Sequence, residues 1–400
     1  MTGLLVSSKV KALSKTFGFS PEVVTKIVDI YGLWRTERIL SSLKKPGKRY
    51  FLRVNTLKAS RDEAKTRLEE EGITAHVFPY LKDTLYISVK GPFEVRVLEK
   101  KVVADKAAAE SVYMGANLYA PGVITAKRVK AGDRVTVVDP RGFPVAEGIA
   151  EIDGDEMESI PKGLAVRTIR SVYKVPSIRE LKVYREGLIY DQSLPSILAV
   201  HILSPKEWWR VVDMCAAPGG KATHAAQLMN DKGEVLAIDR SREKVKKIEE
   251  NKNRLGIRSI KTFIRDSRYL DLEEEFHNVD AVILDPPCSS LGVRPKLYYE
   301  RGLEDIKSLS KYQRQFLSVA SKIVKKGGFV LYSTCTLTLE ENEANMWWAY
   351  KFLRLKPIAQ GLFLGTRGFS MGSLEGYLFQ RFDPHLHDTP GFFISLLVKG

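Results

Sequence analysis

Val279-Asp280-Ala281-Val282-Ile283-Leu284 runs into Asp285-Pro286-Pro287-Cys288-Ser289-Ser290, and Gly328-Phe329-Val330-Leu331-Tyr332 runs into Ser333-Thr334-Cys335-Thr336. Each apolar run has the length and continuous hydrophobicity of a strand buried on both faces, as in a parallel sheet flanked by helices. In an open α/β sheet, ligands bind beyond the carboxyl ends of the strands. The two cysteines, 47 residues apart, are therefore expected at one site, with the Asp285 carboxylate beside one of them. Two thiols and a carboxylate on one strand edge suggest covalent chemistry.

Outward from these strands, residues 204–400 read as repeated βαβ units. RVVDMC and EVLAID are strands, KATHAAQLM is a helix, and the helix from Ser241 stops at Gly256. IKTFIRDS is a third strand, and the long helix from Leu303 is expected to close on Gly327-Gly328. The tail around Pro384, His385 and His387 predicts an antiparallel hairpin ending the sheet. Those two histidines lack a third ligand, so no metal site is expected.

Asp213-Met214-Cys215-Ala216-Ala217-Pro218-Gly219-Gly220-Lys221 joins a strand to a helix. Small residues there allow close backbone approach to a ligand, and the helix start offers free N–H groups. The pattern is not GxGxxG, which disfavours a nicotinamide dinucleotide. Asp239, at the next strand end, suits a ribose, and Asp266, at the third, suits an adenine amine. These residues fit a nucleoside cofactor without a pyrophosphate. S-adenosylmethionine is the natural candidate, because its sulfonium tolerates nearby Asp285. The expected cofactor contacts are Cys215, Ala216, Ala217, Pro218, Gly219, Gly220, Lys221, Asp239, Arg240, Asp266 and Asp285.

Four hundred residues exceed one typical domain. The net charge of +15 points to a polyanionic partner, and residues 1–60 carry 12 Lys and Arg against 3 Asp and Glu. A thermophile-like charged surface would give the same balance. No apolar run reaches the ~18 residues of a membrane span. Nothing resembles a signal peptide, and the spacing of the three cysteines matches neither zinc nor a disulfide framework. The expectation is a cytoplasmic monomer with reduced thiols.

Residues 1–45 read as two or three helices, and residues 49–89 as strand, helix and two strands, with Ser60 as helix N-cap. Between 93 and 172, short β runs alternate with Gly, Pro and Asp turns, which predicts a small barrel. Gly115-Ala116-Asn117-Leu118-Tyr119-Ala120-Pro121-Gly122-Val123, Gly132-Asp133-Arg134-Val135 and Glu147-Gly148-Ile149-Ala150 resemble a PUA domain. The resemblance implies RNA binding; a barrel used only for assembly is the bland reading. The expected division is 1–92 (helical and α/β, RNA-binding), 93–172 (PUA-like barrel) and 173–400 (linker and Rossmann-like domain).

With DMCAAPGGKA, IDRS, RDS, DPPCSS and STCTL in this order, residues 187–400 resemble the Nop/Sun family of RNA cytosine-5 methyltransferases. RVNTLK at 53–58 matches that family's N-terminal element, and the PUA-like barrel reads as an insertion. The resemblance implies an enzyme that methylates cytosine near the acceptor end of tRNA, position 72 in the PUA-containing branch. An rRNA target, a DNA target and a non-catalytic RNA-binding scaffold are the rivals. Carbon 5 of cytosine is a poor nucleophile until a thiolate adds at carbon 6, and the base must first leave its stack. Asp285 suits ring nitrogen 3. Lys221 suits either lowering a thiol pKa or orienting Asp285, with a structural ion pair as the plainer reading. The resemblance makes Cys335 the nucleophile and Cys288 the residue that assists release; spacing alone does not assign them.

Overall fold

The structure, a computed structural model, describes residues 2–400, with side chains from residue 6 on, so Met1 lies outside it. The chain begins with three helices, Thr2–Phe17, Pro21–Tyr31 and Leu33–Leu43. The last two share one amphipathic run that Gly32 interrupts at φ +74°, a conformation that favours glycine. Val23, Val24, Ile27, Ile39 and Leu40 close their common core.

Next comes a four-stranded antiparallel sheet. Arg49–Val54 pairs with Thr84–Ser88, which pairs with Ala75–Val77. The helix Arg61–Glu70 starts at Ser60, whose hydroxyl accepts the Glu63 amide at 3.2 Å. The outer edge of Arg49–Val54 is taken by Ile189–Asp191, beyond the barrel in sequence. The inserted segment builds its own six-stranded sheet, in the order Leu118–Tyr119, Leu164–Ser171, Pro144–Ala150, Arg134–Val138, Lys101–Ala104, Val123–Thr125.

The remainder is Rossmann-like. Strands β1 (Arg210–Asp213), β2 (Glu234–Asp239), β3 (Ile260–Ile264), β4 (Val279–Leu284) and β5 (Val324–Thr334) are parallel, in the order β3-β2-β1-β4-β5. The edge continues antiparallel: β9 (Phe392–Lys399) lies against β5. Beyond it come β8 (Phe379–Phe382) and β7 (Thr366–Arg367), with β6 (Leu355–Ile358) beside the other half of β9. Apolar clusters fill both faces of the sheet, one under Leu194–Leu203 and Gly220–Leu228, the other under Leu303–Ile323 and Glu343–Leu353.

One expected helix boundary is corrected. The long helix ends at Ile323, with Val324 already extended, and Gly327-Gly328 fall inside β5. There the pairing with β4 slips between Val279 and Ala281, and Gly327 takes φ +73°. The glycines serve a bulge rather than a helix cap.

Candidate active site

Strand order places the crevice where β1 and β4 diverge, and the two thiols meet there. The sulfurs of Cys288 and Cys335 are 3.2 Å apart, both free. The Ser290 hydroxyl lies 3.6 Å from Cys335 Sγ and 3.9 Å from Cys288 Sγ. Asp285 sits beside them, held by Lys221 Nζ at 2.5 Å and by the Ser333 hydroxyl at 3.0 Å. Lys221 is buried and therefore orients Asp285 through a shielded ion pair.

The two cysteines are electrostatically unequal. The contact with Cys288 pulls the Cys335 thiol below its ordinary pKa, with burial and Asp285 opposing and Ser290 and Lys221 supporting. The Cys288 thiol is pushed well up by the same contact and by burial. The contact thus favours Cys335 over Cys288 as the place for a thiolate, the form in which a thiol is reactive. Cys215 is pushed well up by burial and the neighbouring carboxylates, which makes it inert.

A network that the sequence reading did not single out holds the two cysteine loops in register. The Glu341 carboxylate is fully buried and accepts the Ser289 amide at 2.8 Å, Gln313 Nε2 at 3.0 Å, and the Thr338 and Thr336 hydroxyls at 2.8 and 3.2 Å. Ser289 and Thr336, one residue beyond each cysteine, also share a hydroxyl hydrogen bond of 2.6 Å. The available signal was the run of hydroxyls in Thr334–Thr338 followed by buried acids, which a solvated loop would not need.

A cleft of about 260 Å³ opens beside this pair, lined by Asp213, Cys215–Pro218, Gly220, Lys221 and Asp285 on one side. Tyr190, Asp191, Gln192, Ser193 and Ser196 line the other side, residues with no role in the sequence reading. Gly219 takes φ +105° at the helix start, the turn that the small-residue run supplies. Burial raises the Asp213 carboxyl to about 7, with Lys221 opposing and Asp285 and Asp239 contributing. Asp239 ends β2 nearby, buried, accepting the Ser241 amide at 3.3 Å, and Arg240 is exposed. Asp266 stands apart from the cleft lining. Its carboxylate caps the turn at Arg268 and binds that guanidinium at 2.5 Å, which holds it below the usual range. The carboxylate-rich walls, the glycine turn and the size of the cleft suit a cationic nucleoside cofactor.

Arg53 links this turn to the N-terminal sheet. Fully buried, it donates to the Gly220 carbonyl at 2.5 Å, Gln192 Oε1 at 2.7 Å and Thr223 Oγ1 at 2.8 Å. This is what the RVNTLK element does in the fold. Nearby, Asp83 receives His201 Nε2 at 2.8 Å and His224 Nε2 at 2.9 Å. The two imidazole nitrogens and the carboxylate lie within 4.8 Å of one another, and the carboxylate accepts from both rings directly. On the hairpin, His387 Nδ1 accepts the Asp383 amide at 2.8 Å and so closes its turn. A second groove, about 890 Å³, runs from Arg49 and Tyr50 past Ser111, Met114 and Tyr119 of the barrel to Arg294. It shares Asp191, Gln192 and Ser193 with the cofactor cleft.

A Rossmann-like sheet with this cleft defines an S-adenosylmethionine-dependent methyltransferase. Family models match as 16S rRNA methyltransferase RsmB/F over residues 200–398, as PUA domain over 100–172, and as the ferredoxin-like domain of RsmF/B-like methyltransferases over 23–94. The chain is 43% identical to a tRNA (cytosine(72)-C(5))-methyltransferase of Pyrococcus horikoshii, covering 97% of this chain and 99% of that one. It is 32% identical to the human tRNA (cytosine(72)-C(5))-methyltransferase NSUN6, over 92% and 87% of the two chains. The crystal structure of NSun6 from Pyrococcus horikoshii with SFG superimposes with a TM-score of 0.87 at 43% identity, over 96% of this chain and 98% of that one. The chain belongs to the Nop/Sun family of RNA cytosine-5 methyltransferases, in the branch that carries a PUA domain.

Among the described residues, no helix is long and apolar enough to cross a membrane.

Proposed function

We propose that this chain methylates carbon 5 of cytosine 72, near the acceptor end of tRNA, acting as a cytoplasmic monomer. The observation that carries the chemistry is the pair of free sulfurs 3.2 Å apart beside Asp285. The relatives named for cytosine 72 of tRNA align along nearly the whole chain, which favours tRNA over the rRNA alternative. The groove between the N-terminal sheet, the PUA domain and the Val293–Pro295 segment shares Asp191, Gln192 and Ser193 with the cofactor cleft, which supports it as the place for a single-stranded RNA end.

Once the base is unstacked, the Cys335 thiolate bonds to carbon 6, and the electrons of the 5–6 bond move to carbon 5. Asp285, oriented by Lys221 and Ser333, shares a proton with ring nitrogen 3 and so stabilises the adduct. Asp213, Asp239, Gly219–Lys221 and Asp266 are the residues that would hold the cofactor. When bound, S-adenosylmethionine supplies an electrophilic methyl group to carbon 5. A base then takes the carbon-5 proton in a step that Cys288 assists; the 5–6 double bond re-forms, the Cys335 thiolate is expelled, and the proton at ring nitrogen 3 returns to Asp285. The test is labelled-methyl transfer to tRNA and to rRNA, followed by mass-spectrometric mapping. Label in 5-methylcytosine at position 72 is expected. Label only in rRNA, or none in either, would overturn the proposal.

A further inference from the structure

Between Ser290 and Leu303 the chain leaves the catalytic sheet and is buried by the other two parts of the molecule. Leu297 and Tyr298 pack in the apolar cluster of the PUA domain, with Val102, Val112 and Val137. The Leu297 amide donates to Glu110 Oε1 on the PUA helix Lys106–Tyr113 at 2.9 Å, and its carbonyl accepts Lys44 Nζ. The Tyr298 ring lies 3.8 Å from the Arg141 guanidinium. One residue on, the contacts change partner. The Tyr299 ring stacks on Phe19 with centroids 5.6 Å apart, and its amide donates to the Gly18 carbonyl at 3.0 Å.

The strap then returns to the active site. The Tyr299 hydroxyl donates to the Ser289 carbonyl at 3.2 Å, and Arg301 Nη1 donates to the Cys288 carbonyl at 2.5 Å. The catalytic domain holds the other side of this loop through Glu341 at the Ser289 amide and Gln313 at the Pro287 carbonyl. The Cys288 loop is therefore fixed from two directions, and one of them originates outside the catalytic domain. Misplacement of a reacting group by ~1 Å is enough to cost ~100-fold in rate.

We propose that Tyr298 and Tyr299 are positioning residues for Cys288, so that the PUA domain and the N-terminal helices act on base release as well as on RNA capture. The inference rests on the reading of Cys288 as the release residue. A strap that only fastens domains together would change tRNA affinity and thermal stability but not the fate of the covalent adduct.

The experiment is single-turnover methylation of tRNA by the full chain. It follows tRNA affinity, methyl transfer and the protein–RNA species that survives denaturing electrophoresis, with Cys288→Ala as reference. Tyr298→Ala is expected to clear the adduct on the order of tenfold more slowly than the native chain. Tyr298→Phe, which keeps the ring contacts, restores native clearance. Tyr299→Phe removes only the hydroxyl bond to Ser289 and slows clearance by a few-fold. Native clearance by Tyr298→Ala and Tyr299→Phe, while Cys288→Ala accumulates adduct, would overturn the inference and leave the reading of Cys288 standing. No accumulation in Cys288→Ala would overturn both. Should Tyr298→Ala fail to fold, Tyr299→Phe decides alone.

Discussion

Two buried polar networks differ in where their partners come from. Around Glu341, the partners come from Ser289, Gln313, Thr336 and Thr338, all within the catalytic domain. Around Arg53 and Asp83, they come from the N-terminal sheet on one side and from Gln192, His201, Thr223 and His224 on the other. Both bury charge, which is costly unless every charged group finds hydrogen-bond partners. The first fixes the two cysteine loops in register; the second fixes the N-terminal sheet against the turn at Gly219–Gly220. Function thus depends on a catalytic register set locally and a cleft completed from outside.

The largest expected effect is at the first network. Glu341→Ala leaves four buried donors without their acceptor and should cost about 3 kcal/mol or more of stability. Methyl transfer should fall by ~100-fold as the cysteine loops separate. Glu341→Gln keeps the volume and one acceptor, and should lose less of both. Denaturant unfolding and single-turnover rates measure the two effects. Equal losses for Ala and Gln would mean that the charge, not the geometry, is what matters.

Arg53→Ala should come next. It strips hydrogen bonds from Gln192, Gly220 and Thr223, for ~2–3 kcal/mol of stability. Because Gly220 lines the cleft, calorimetry should record weaker S-adenosylmethionine binding. Lost stability with unchanged cofactor affinity would separate the junction from the site.

The smallest effect is a pH dependence of the junction. Burial, aided by Arg53, lowers the His224 pKa to about 3, and Asp83 is held below the usual carboxylate range by its histidine hydrogen bonds, against burial. The unfolded chain takes up the His224 proton near pH ~6.5 while the folded chain resists. The stabilising contribution is therefore complete above that pH and is lost as pH falls toward 3. The melting temperature should drop between pH 7 and 5 more steeply in the native chain than in His224→Gln. Parallel slopes would contradict this.

Much of the fold was legible because the catalytic half obeys local rules. β2, Glu234–Asp239, matches its apolar run residue for residue, and Ser241 and Gly256 bound the helix after it as caps should. That Cys288, Cys335, Asp285 and Lys221 lie together was readable because strand order brings strand ends together. What was not readable was long-range. Nothing near Ile189 says that it closes a sheet begun at Arg49, across the whole inserted barrel. Nothing near Asp83 announces two histidines more than a hundred residues away. Asp266 follows the third strand as its motif implies, and the Arg268 contact inside its own turn is a local detail that the motif does not announce. Gly327-Gly328 reads as a helix stop in sequence because a bulge in β5 and a helix cap ask for the same residue type.

The most direct test of the account compares Cys335→Ala with Cys288→Ala in the presence of tRNA and S-adenosylmethionine, read as protein–RNA species on denaturing gels. If Cys335 attacks and Cys288 assists release, Cys335→Ala forms no covalent species and transfers no methyl. Cys288→Ala transfers methyl once and accumulates the adduct, and the double variant behaves as Cys335→Ala. A covalent band from Cys335→Ala with none from Cys288→Ala would contradict the assignment.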